Sequence, residues 1–580
     1  MATLPTEPAE SAEASESADA SEAAEPELTY RGARRPDRRR TVASDGIGLA
    51  VWEWGAPDAP PILLAHGGFD FAGTFDLVAP RLADAGCRVV SWDQRGHGDS
   101  DQSVLYSWDA DLRDGLTVLD TLSAEPIPLV GHSKGGALMT QIADARPFRC
   151  SHLVNLDGLP SRRAWPDVPE RERTRLLAGE LRAWLDHRAA SATKIRRPDT
   201  IDGLARRRQQ MNPRLPLDWL RYVVPIGARH DPDGWRWKID PVMRFGGFGP
   251  WRPEWMIQRI PGLGMPFLGV LGLESEPMGW GTLPEDVVPY LPREARFEAL
   301  DGVGHFVHVE RPDVVADLIL DFVGEPARRG ASWAPVDLGR STARPATLEA
   351  EPTTMAERGD MELLVHNKVR LAIHRLRDGD DGGHPLLLLH GLGERSPAAV
   401  PPALAAWPGP VFALDFTGHG ASTHSTGGGY SAEVLMADVD VALRHIGDVT
   451  AYGRGLGAYV ALLLAGARAD AVRGAILADG PGMLGGGPGP TAVVIDRAHP
   501  SRGPRHGPDP YAISELARDP RPPDYASAFA RLAVMGSSLE TPLAVVSVTR
   551  PDWLAATLLE PGVEQMSIDT AIDLYASAGS

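Results

Sequence analysis

The stretch Leu129-Val130-Gly131-His132-Ser133-Lys134-Gly135-Gly136 decides how the first half of the chain is interpreted. The apolar run at 127–130 predicts a short buried strand, and a helical pattern at 137–145 follows the Gly-x-Ser-x-Gly motif directly. A serine on so sharp a strand-to-helix turn has strained backbone, and flanking glycines avoid clashes there. Because this turn lifts the hydroxyl clear of the sheet, we predict that Ser133 is a catalytic nucleophile rather than an ordinary turn serine.

The composition is that of an ordinary globular chain with an acidic excess. The 580 residues are 43% hydrophobic and 23% charged, with a formal net charge of −19, so about two to four domains are expected. The acidic excess argues against nucleic acid as a general partner, since no surplus of basic residues is available to offset phosphates. We expect no membrane association, because no apolar run has the length of a membrane span.

The first 40 residues are predicted to lie outside the folded units. Residues 1–28 are rich in Ala, Glu and Ser and contain no Lys or Arg, which is typical of a disordered acidic tail and unlike a signal peptide. An Arg-rich link follows at 31–40. The two cysteines, Cys87 and Cys150, are predicted to be buried free thiols, which favours a reducing, cytoplasmic location.

Short strands alternate with helices through residues 41–325. Strand patterns lie at 49–54, 62–65, 88–92, 127–130, 152–156, 267–271 and 296–300, with helical patterns at 75–85, 108–123 and 312–322 among them. This alternation predicts an α/β domain whose mostly parallel sheet is covered by helices on both faces.

The alternation stops between residues 161 and 265. This insert has 21 Lys and Arg against 12 Asp and Glu, and holds seven of the chain's 15 tryptophans: Trp165, Trp184, Trp219, Trp235, Trp237, Trp251 and Trp255. We interpret it as a partly helical cap over the serine, with a structural excursion as the alternative. The basic excess suggests a largely apolar substrate with a negative group; pairing with carboxylates elsewhere in the protein is the other explanation.

The first unit is repeated after a linker predicted at 326–358. His390-Gly391-Leu392-Gly393 repeats His66-Gly67-Gly68-Phe69, residues 415–422 repeat 93–100, and Asp479 stands opposite Asp157, all at an offset of 322 to 324. At that offset the position of the serine is held by Gly455. Residues 359–580 are therefore predicted to form a second domain that has lost its nucleophile.

A serine nucleophile requires an adjacent base, which a third group must orient. The candidate base is His305, on a glycine-flanked loop directly after the strand at 296–300. His308 is assigned to packing or surface. His66 and His97 border tight turns, so we predict that they bond loop backbone.

The acid is chosen among three carboxylates that follow late strands. Glu276 is our first choice and Glu274 the second. Asp157 is the alternative from the preceding strand, but its counterpart Asp479 persists in the half that has lost its serine. That persistence favours a structural role for Asp157.

An oxyanion hole requires two backbone N–H groups directed to the point where charge develops. One is predicted to come from Lys134, directly after the serine and at the start of a helix, where the dipole is positive. The other is predicted to come from Gly68, in the glycine-rich loop at 66–69.

These motifs resemble the α/β-hydrolase family over residues 40–324. Its landmarks are His66-Gly67-Gly68, residues 93–100, Gly131 to Gly135 and Gly304-His305, with the insert at the usual place of a cap. The resemblance implies a Ser-Glu/Asp-His triad without a cofactor, and it excludes the epoxide- and haloalkane-cleaving branches, which have aspartate at the position of Ser133. We predict no metal site.

The second unit resembles the same family but lacks the groups that perform its chemistry. Gly455 cannot attack a carbonyl, Gln565 is aligned with His305, and Asp552 is aligned with Glu276. We therefore expect a degenerate hydrolase-like domain packed on the first.

The sequence thus predicts a fold with two α/β-hydrolase-like domains. The first would be a cofactor-independent serine hydrolase acting on a carboxylic ester or related acyl bond of a small molecule. The alternative is a receptor that uses the same fold to bind a small molecule with little turnover.

Overall fold

The computed structural model describes residues 28–159, 170–191, 193–243, 253–328, 361–379, 383–489 and 507–577. These residues form two eight-stranded sheets flanked by helices, and the two sheets have the same strand order. The α/β class and the tandem arrangement predicted from the sequence are both confirmed.

The first domain is built on one mixed sheet with a helical insert. Its strands are β1 (Arg38–Ser44), β2 (Ile47–Trp54), β3 (Pro61–Ala65), β4 (Arg88–Trp92), β5 (Ile127–His132), β6 (Cys150–Leu156), the insert hairpin β7 (Ala228–Asp231) and β8 (Gly234–Trp237), then β9 (Phe267–Gly272) and β10 (Arg296–Leu300). Its helices are α1 (Ala79–Asp84), α2 (Trp108–Asp120), α3 (Lys134–Ala145), α4 (Glu170–Ser191), α5 (Ile201–Met211), α6 (Leu217–Gly227), α7 (Pro253–Arg259), α8 (Pro284–Val287), α9 (Val307–Glu310) and α10 (Pro312–Arg328). The sheet order is β1-β2-β4-β3-β5-β6-β9-β10.

All neighbours from β4 to β10 in this order run parallel, whereas β2 is antiparallel to β1 and β4. Parallel strands bring their carboxyl ends to one edge of the sheet. The loops after β3, β5, β6, β9 and β10 therefore meet at that edge, which is where ligands bind in folds of this kind.

Two local predictions in the first domain are wrong. The Arg-rich link is folded: β1 pairs with β2 from Arg38 onward, and the ring of Tyr30 lies 5.3 Å from that of Trp219. The helix predicted at 75–85 begins only at Ala79, because Pro80 has no N–H to donate and is tolerated only in a first helical turn.

The insert between β6 and β9 occupies the segment predicted as a cap. Trp219 and Trp235 are buried, and both belong to the apolar cluster that includes α1 and one face of the sheet. Trp184 and Trp237 are half-buried, so these tryptophans pack rather than stand exposed. Trp165 and Trp251, and the side chain of Trp255, lie outside the described residues.

The second domain repeats the arrangement without a comparable described insert. Its strands are β11 (Met361–His366), β12 (Val369–Arg377), β13 (Leu386–Leu389), β14 (Val411–Leu414), β15 (Val449–Arg454), β16 (Val472–Ala478), β17 (Leu543–Val545) and β18 (Val563–Gln565). Its helices are α11 (Ala432–Ile446), α12 (Leu456–Ala467), α13 (Pro510–Arg518), α14 (Pro523–Gly536), α15 (Asp552–Thr557) and α16 (Ile568–Ser577). The order β11-β12-β14-β13-β15-β16-β17-β18 is that of the first sheet.

The two domains share buried surface. Leu181 and Leu185 of α4 are buried in the apolar cluster of the second domain, where α4 packs on α11, α12 and α14. On α2, Arg113 pairs with the buried Glu515 of α13 at 2.5 Å. The predicted intramolecular packing is therefore present, and it runs through the cap as well as through the core. In the described part of the chain, no helix combines the length and apolarity of a membrane span.

Candidate active site

Ser133 stands at the junction of β5 and α3 in a strained conformation. Its φ of 52° and ψ of −122° are unusual for a residue with a side chain, and its N–H donates to Leu156 O at 3.0 Å. A Cβ on Gly135 would lie only 2.2 Å from Ala65 O. The glycine therefore lets α3 approach β3 closely, and the predicted strand–serine–helix turn is present.

The His305 ring is paired with Asp157. Nδ1 of His305 lies 2.5 Å from Oδ2 of Asp157, and both side chains are less than 10% exposed. Asp157 follows β6 directly and has a φ of 50°. The prediction that Glu276 orients the imidazole is wrong, because Asp157 occupies that position.

Glu276 instead holds the backbone of the histidine loop. Its Oε2 accepts the N–H of His305 at 2.8 Å, and its Oε1 accepts the N–H of Arg214 at 3.4 Å. Glu274 is exposed, and its Oε2 lies 4.0 Å from Nη1 of Arg214. Glu276 therefore contributes to the position of the loop but does not touch the ring.

The comparison of Asp157 with Asp479 shows why sequence reasoning chose the wrong carboxylate. Asp479 accepts the hydroxyl of Ser547 at 2.7 Å and the N–H groups of Val548 and Thr549 at 2.6 and 3.0 Å. Asp157 has one such structural bond, from Gly272 N to Oδ1 at 3.0 Å, and uses its other oxygen for His305. In both domains the aspartate accepts a backbone N–H at or just beyond the end of the neighbouring strand. Its presence in both domains therefore did not exclude an additional bond to a histidine ring in the first.

The second domain shows where the amides at the two predicted oxyanion positions point. Leu392 and Leu456 are the counterparts of Gly68 and Lys134, and their N–H groups both donate to Pro481 O, at 3.0 and 2.9 Å. Two amides that converge on one oxygen are the arrangement that stabilises an oxyanion. In this half the hole is filled by the protein's own carbonyl.

In the first domain the same two amides are available. Among the described residues, neither Gly68 N nor Lys134 N has a hydrogen-bond acceptor. A Cβ on Gly68 would lie 3.9 Å from the Cβ of Lys134, so the two residues face each other. The Lys134 ammonium points away to Asp111, at 2.7 Å, and only its backbone belongs to the hole.

In the described part of the second domain, glycine stands where the first domain has its elbow serine. Gly455 keeps the serine-like φ of 56° and ψ of −114°, but a Cβ there would lie 2.1 Å from Pro481 O. The alignment of Gln565 with His305 is wrong, because Gln565 lies within β18, whereas His305 lies in the loop after β10. Asp552 begins α15, next to Pro551; nothing in its contacts relates it to Glu276.

Buried neutral histidines surround the site. His66 and His97 accept the N–H groups of Gln94 and Phe69 at 2.9 and 3.2 Å, which confirms their predicted bonds to loop backbone. Burial lowers the pKa of His97 and of His308 to about 3, and it lowers the pKa of His132 well below its usual range. Among these histidines, the prediction of packing for His308 is also confirmed: it bonds Thr74 Oγ1 at 2.9 Å.

Trp280 is a site residue that the sequence did not suggest. Its indole Nε1 donates to Ser133 Oγ at 3.3 Å, and Ser133 is only 7% exposed. Trp280 lies in the loop after β9, outside the tryptophan-rich insert, and follows no recognisable motif. A substrate must displace or share this contact to reach the hydroxyl.

Several cations of the insert pair with carboxylates outside it: Arg208 with Asp70, Lys238 with Asp99 and Arg259 with Asp144. These pairs support pairing with carboxylates elsewhere in the protein as an explanation of the basic excess. In the described ranges, no three His, Cys, Asp or Glu side chains are grouped so that they could hold a metal ion.

The chain is similar to several known hydrolases. Residues 62–318 match the Alpha/beta hydrolase family. A serine hydrolase-like protein of Dictyostelium discoideum is 33% identical over 117 residues, covering 19% of this chain and 32% of that protein. Epoxide hydrolase A of Mycobacterium tuberculosis is 38% identical over 106 residues, covering 17% and 32%. An sn-1-specific diacylglycerol lipase of Xenopus laevis is 24% identical over 274 residues, covering 46% and 80%. The chain thus spans about a third of the first two relatives.

Proposed function

The first half of the chain belongs to the α/β-hydrolase family, and on that premise we propose that this domain is a serine hydrolase. Ser133 is the proposed nucleophile, His305 the base and Asp157 the acid, with Gly68 N and Lys134 N as oxyanion donors. The observation that supports the proposal is the bond between His305 Nδ1 and Asp157 Oδ2, together with the strained elbow conformation of Ser133.

The first half-reaction forms an acyl-enzyme. Ser133 Oγ attacks the carbonyl carbon of the ester while Nε2 of His305 takes the hydroxyl proton. The negative charge on the carbonyl oxygen is held by the two amides of Gly68 and Lys134. The tetrahedral intermediate then expels the alcohol, which receives the proton from Nε2.

The second half-reaction releases the acid. Water attacks the acyl carbon, gives its proton to Nε2 of His305, and the Ser133 oxygen leaves with that proton. In both halves the carboxylate of Asp157 keeps the proton of Nδ1 in place and stabilises the imidazolium. Neither half-reaction consumes a cofactor.

The nature of the nucleophile separates this proposal from the epoxide hydrolase in the comparisons. Ser133 has the elbow position, so an acyl-enzyme rather than hydrolysis through a carboxylate nucleophile is proposed. The relative named as a diacylglycerol lipase and the indole of Trp280 beside Ser133 Oγ favour a largely apolar ester. The pairing of insert cations with carboxylates elsewhere in the protein favours a neutral substrate over an acidic one.

Labelling with a fluorophosphonate tests the proposal on the full chain. We expect one adduct on Ser133, located by peptide mass spectrometry, and turnover of p-nitrophenyl butyrate. Ser133→Ala is expected to abolish both while the unfolding temperature stays within about 2 °C, because one hydroxyl is lost from a turn. Activity that persists in Ser133→Ala would contradict the assignment of the nucleophile, and labelling without turnover would favour the receptor alternative.

A further inference from the structure

The oxyanion loop contains a strained residue directly after Gly68. Phe69 has a φ of 59°, in the left-handed region that a residue with a side chain rarely adopts. Such a conformation persists only where the surroundings hold it. The peptide unit that joins Gly68 to Phe69 is part of the path that directs the Gly68 amide, so whatever holds Phe69 also holds the oxyanion hole.

Two side chains hold the backbone of Phe69, and they come from different parts of the domain. Its N–H donates to Nε2 of His97, in the loop after β4, at 3.2 Å. Its carbonyl accepts a hydrogen bond from Nη1 of Arg208, in helix α5 of the insert, at 2.5 Å. One bond is thus supplied by the core and the other by the cap.

The Arg208 side chain is held in this position by several contacts. Its side chain is 11% exposed, and its Nη2 lies 3.5 Å from Oδ1 of Asp70, the next residue in the loop. Its guanidinium also lies 5.8 Å from the rings of Trp237 in the cap and Phe306 beside the base. Arg208 therefore bridges the cap, the oxyanion loop and the loop of the catalytic histidine.

The second domain provides an internal comparison. At the position of Phe69 it has Gly393, with a φ of 76°, and the Gly393 N–H donates to His419 Nε2 at 3.2 Å. The bond from the core histidine is therefore kept. Glycine adopts this conformation without strain, and no side chain in the described part of that domain donates to the Gly393 carbonyl. An arginine therefore donates to the carbonyl of the strained Phe69, whereas the unstrained Gly393 has no such donor among the described residues.

We propose that Arg208 is a positioning residue through which helix α5 of the insert holds the oxyanion loop. It holds Phe69 in the left-handed conformation, and this directs the Gly68 amide at the substrate oxygen. The inference rests on the proposed function of the site, since its purpose is to arrange an oxyanion donor.

The test is a double-mutant cycle that removes the hydrogen bond from Arg208 and the backbone strain at Phe69 separately. Arg208→Ala is expected to lower kcat for p-nitrophenyl butyrate by about 10- to 100-fold, because a donor displaced by an ångström loses most of its effect. KM is expected to change by less than about threefold. In the Phe69→Gly background, where the loop has no strain to hold, Arg208→Ala is expected to lower kcat by less than about threefold.

Two further variants separate positioning from other roles of the arginine. Arg206→Ala is the matched control, since Arg206 lies on the same helix but is 60% exposed and pairs with Asp202; it should leave kcat unchanged. Arg208→Lys should restore part of the activity, because an ammonium can still donate to a carbonyl. An equal loss of kcat from Arg208→Ala in both backgrounds, or a loss confined to KM, would overturn the inference.

A readout that needs no catalysis distinguishes this inference from the proposed function. Hydrogen–deuterium exchange of peptides covering residues 66–72 is expected to accelerate in Arg208→Ala and not in Arg206→Ala. Unchanged exchange in Arg208→Ala would overturn the positioning role even if the wild type hydrolyses esters. If Arg208→Ala exchanges faster than the wild type but the wild type has no esterase activity, the positioning role is supported and only the proposed function is overturned.

Discussion

At the scale of single residues, Asp157 divides its two oxygens between structure and chemistry. Oδ1 accepts Gly272 N and ties the end of β6 to the end of β9, while Oδ2 meets the His305 ring. Because Oδ1 fixes the carboxylate, Oδ2 is pre-oriented for the imidazole. The same aspartate in the second domain retains only bonds of the structural kind.

Restoring the missing serine should not revive the second domain. In the Ser133→Ala background, Gly455→Ser is expected to take up no fluorophosphonate, since its Cβ would lie 2.1 Å from Pro481 O and residues 566–580 contain no histidine. The clash should also lower the unfolding temperature of the second domain, measured by differential scanning calorimetry. Gly489→Ser, where a Cβ meets nothing within 4 Å, is the control. Serine-dependent labelling at residue 455 would contradict this account.

The residues of the site differed in how well sequence could identify them. Ser133, Lys134 and Gly68 belong to local motifs whose backbone geometry follows from glycine spacing, so they could be predicted. The choice between Asp157 and Glu276 depends on which carboxylate reaches a ring 148 or 29 residues away, and both lie just beyond neighbouring strands. Trp280 and Arg208 have no motif, and only tertiary packing brings them to the site.

At the scale of elements, the loops at the carboxyl edge of the first sheet carry the buried histidines. Their pKa values in the folded state lie below 6.5, about 3 for His97 and His308, because burial disfavours the charged ring. Between these values the unfolded chain binds more protons than the folded one. The contribution of these histidines to stability is therefore complete above pH 6.5 and is lost as the pH decreases towards 3.

These histidines should add to the loss of stability on acidification, whereas buried carboxyls such as Asp93, whose pKa burial raises to about 7, contribute with the opposite sign. Each such histidine is expected to lower the free energy of unfolding by up to about 1.4 kcal/mol per pH unit below 6.5. Urea unfolding at pH 7.5, 6.0 and 5.0 measures this slope. His308→Gln should reduce it, whereas His445→Gln, at a half-exposed position, should not. A pH slope in His308→Gln equal to that of the wild type would contradict the prediction.

Elements were predictable where periodicity and turn chemistry agree. β4 and β10 were predicted to the residue, because each is an apolar or alternating run closed by a glycine-containing turn. β1 was missed, since Arg38, Arg39 and Arg40 resemble a solvated link. In the structure these arginines pair across the sheet edge, with Arg38 and Arg40 on the buried Glu53.

At the scale of the whole molecule, the second domain is a structural partner of the first. It buries Leu181 and Leu185 of cap helix α4, and Asp186 of the same helix pairs with Arg444 and Arg468 at 2.7 and 2.8 Å. These contacts require a preserved surface and no catalytic group. Glycine at position 455 and the bonds of Leu392 N and Leu456 N to Pro481 O are therefore compatible with this packing.

Breaking the buried ion pair between Arg113 and Glu515 should lower the stability of the protein. Arg113→Ala leaves Glu515, 2% exposed, without its cation, and is expected to lower the free energy of unfolding by about 3–5 kcal/mol. Arg182→Ala removes the exposed pair with Asp470 and should cost less than about 1 kcal/mol. Urea unfolding compares the two variants. Equal, small effects would contradict a stabilising contact between the domains at this pair.

The identity of the acid tests the central claim most directly. Esterase kcat is measured for Asp157→Asn and Glu276→Gln beside the wild type, with unfolding temperatures to exclude loss of the fold. Asp157→Asn should lower kcat by about 10³- to 10⁴-fold, because the imidazole loses its orienting carboxylate. Glu276→Gln should lower it by less than about 10-fold, since an amide oxygen can still accept the His305 N–H. The reverse order, with Glu276→Gln inactive and Asp157→Asn near normal, would contradict the account.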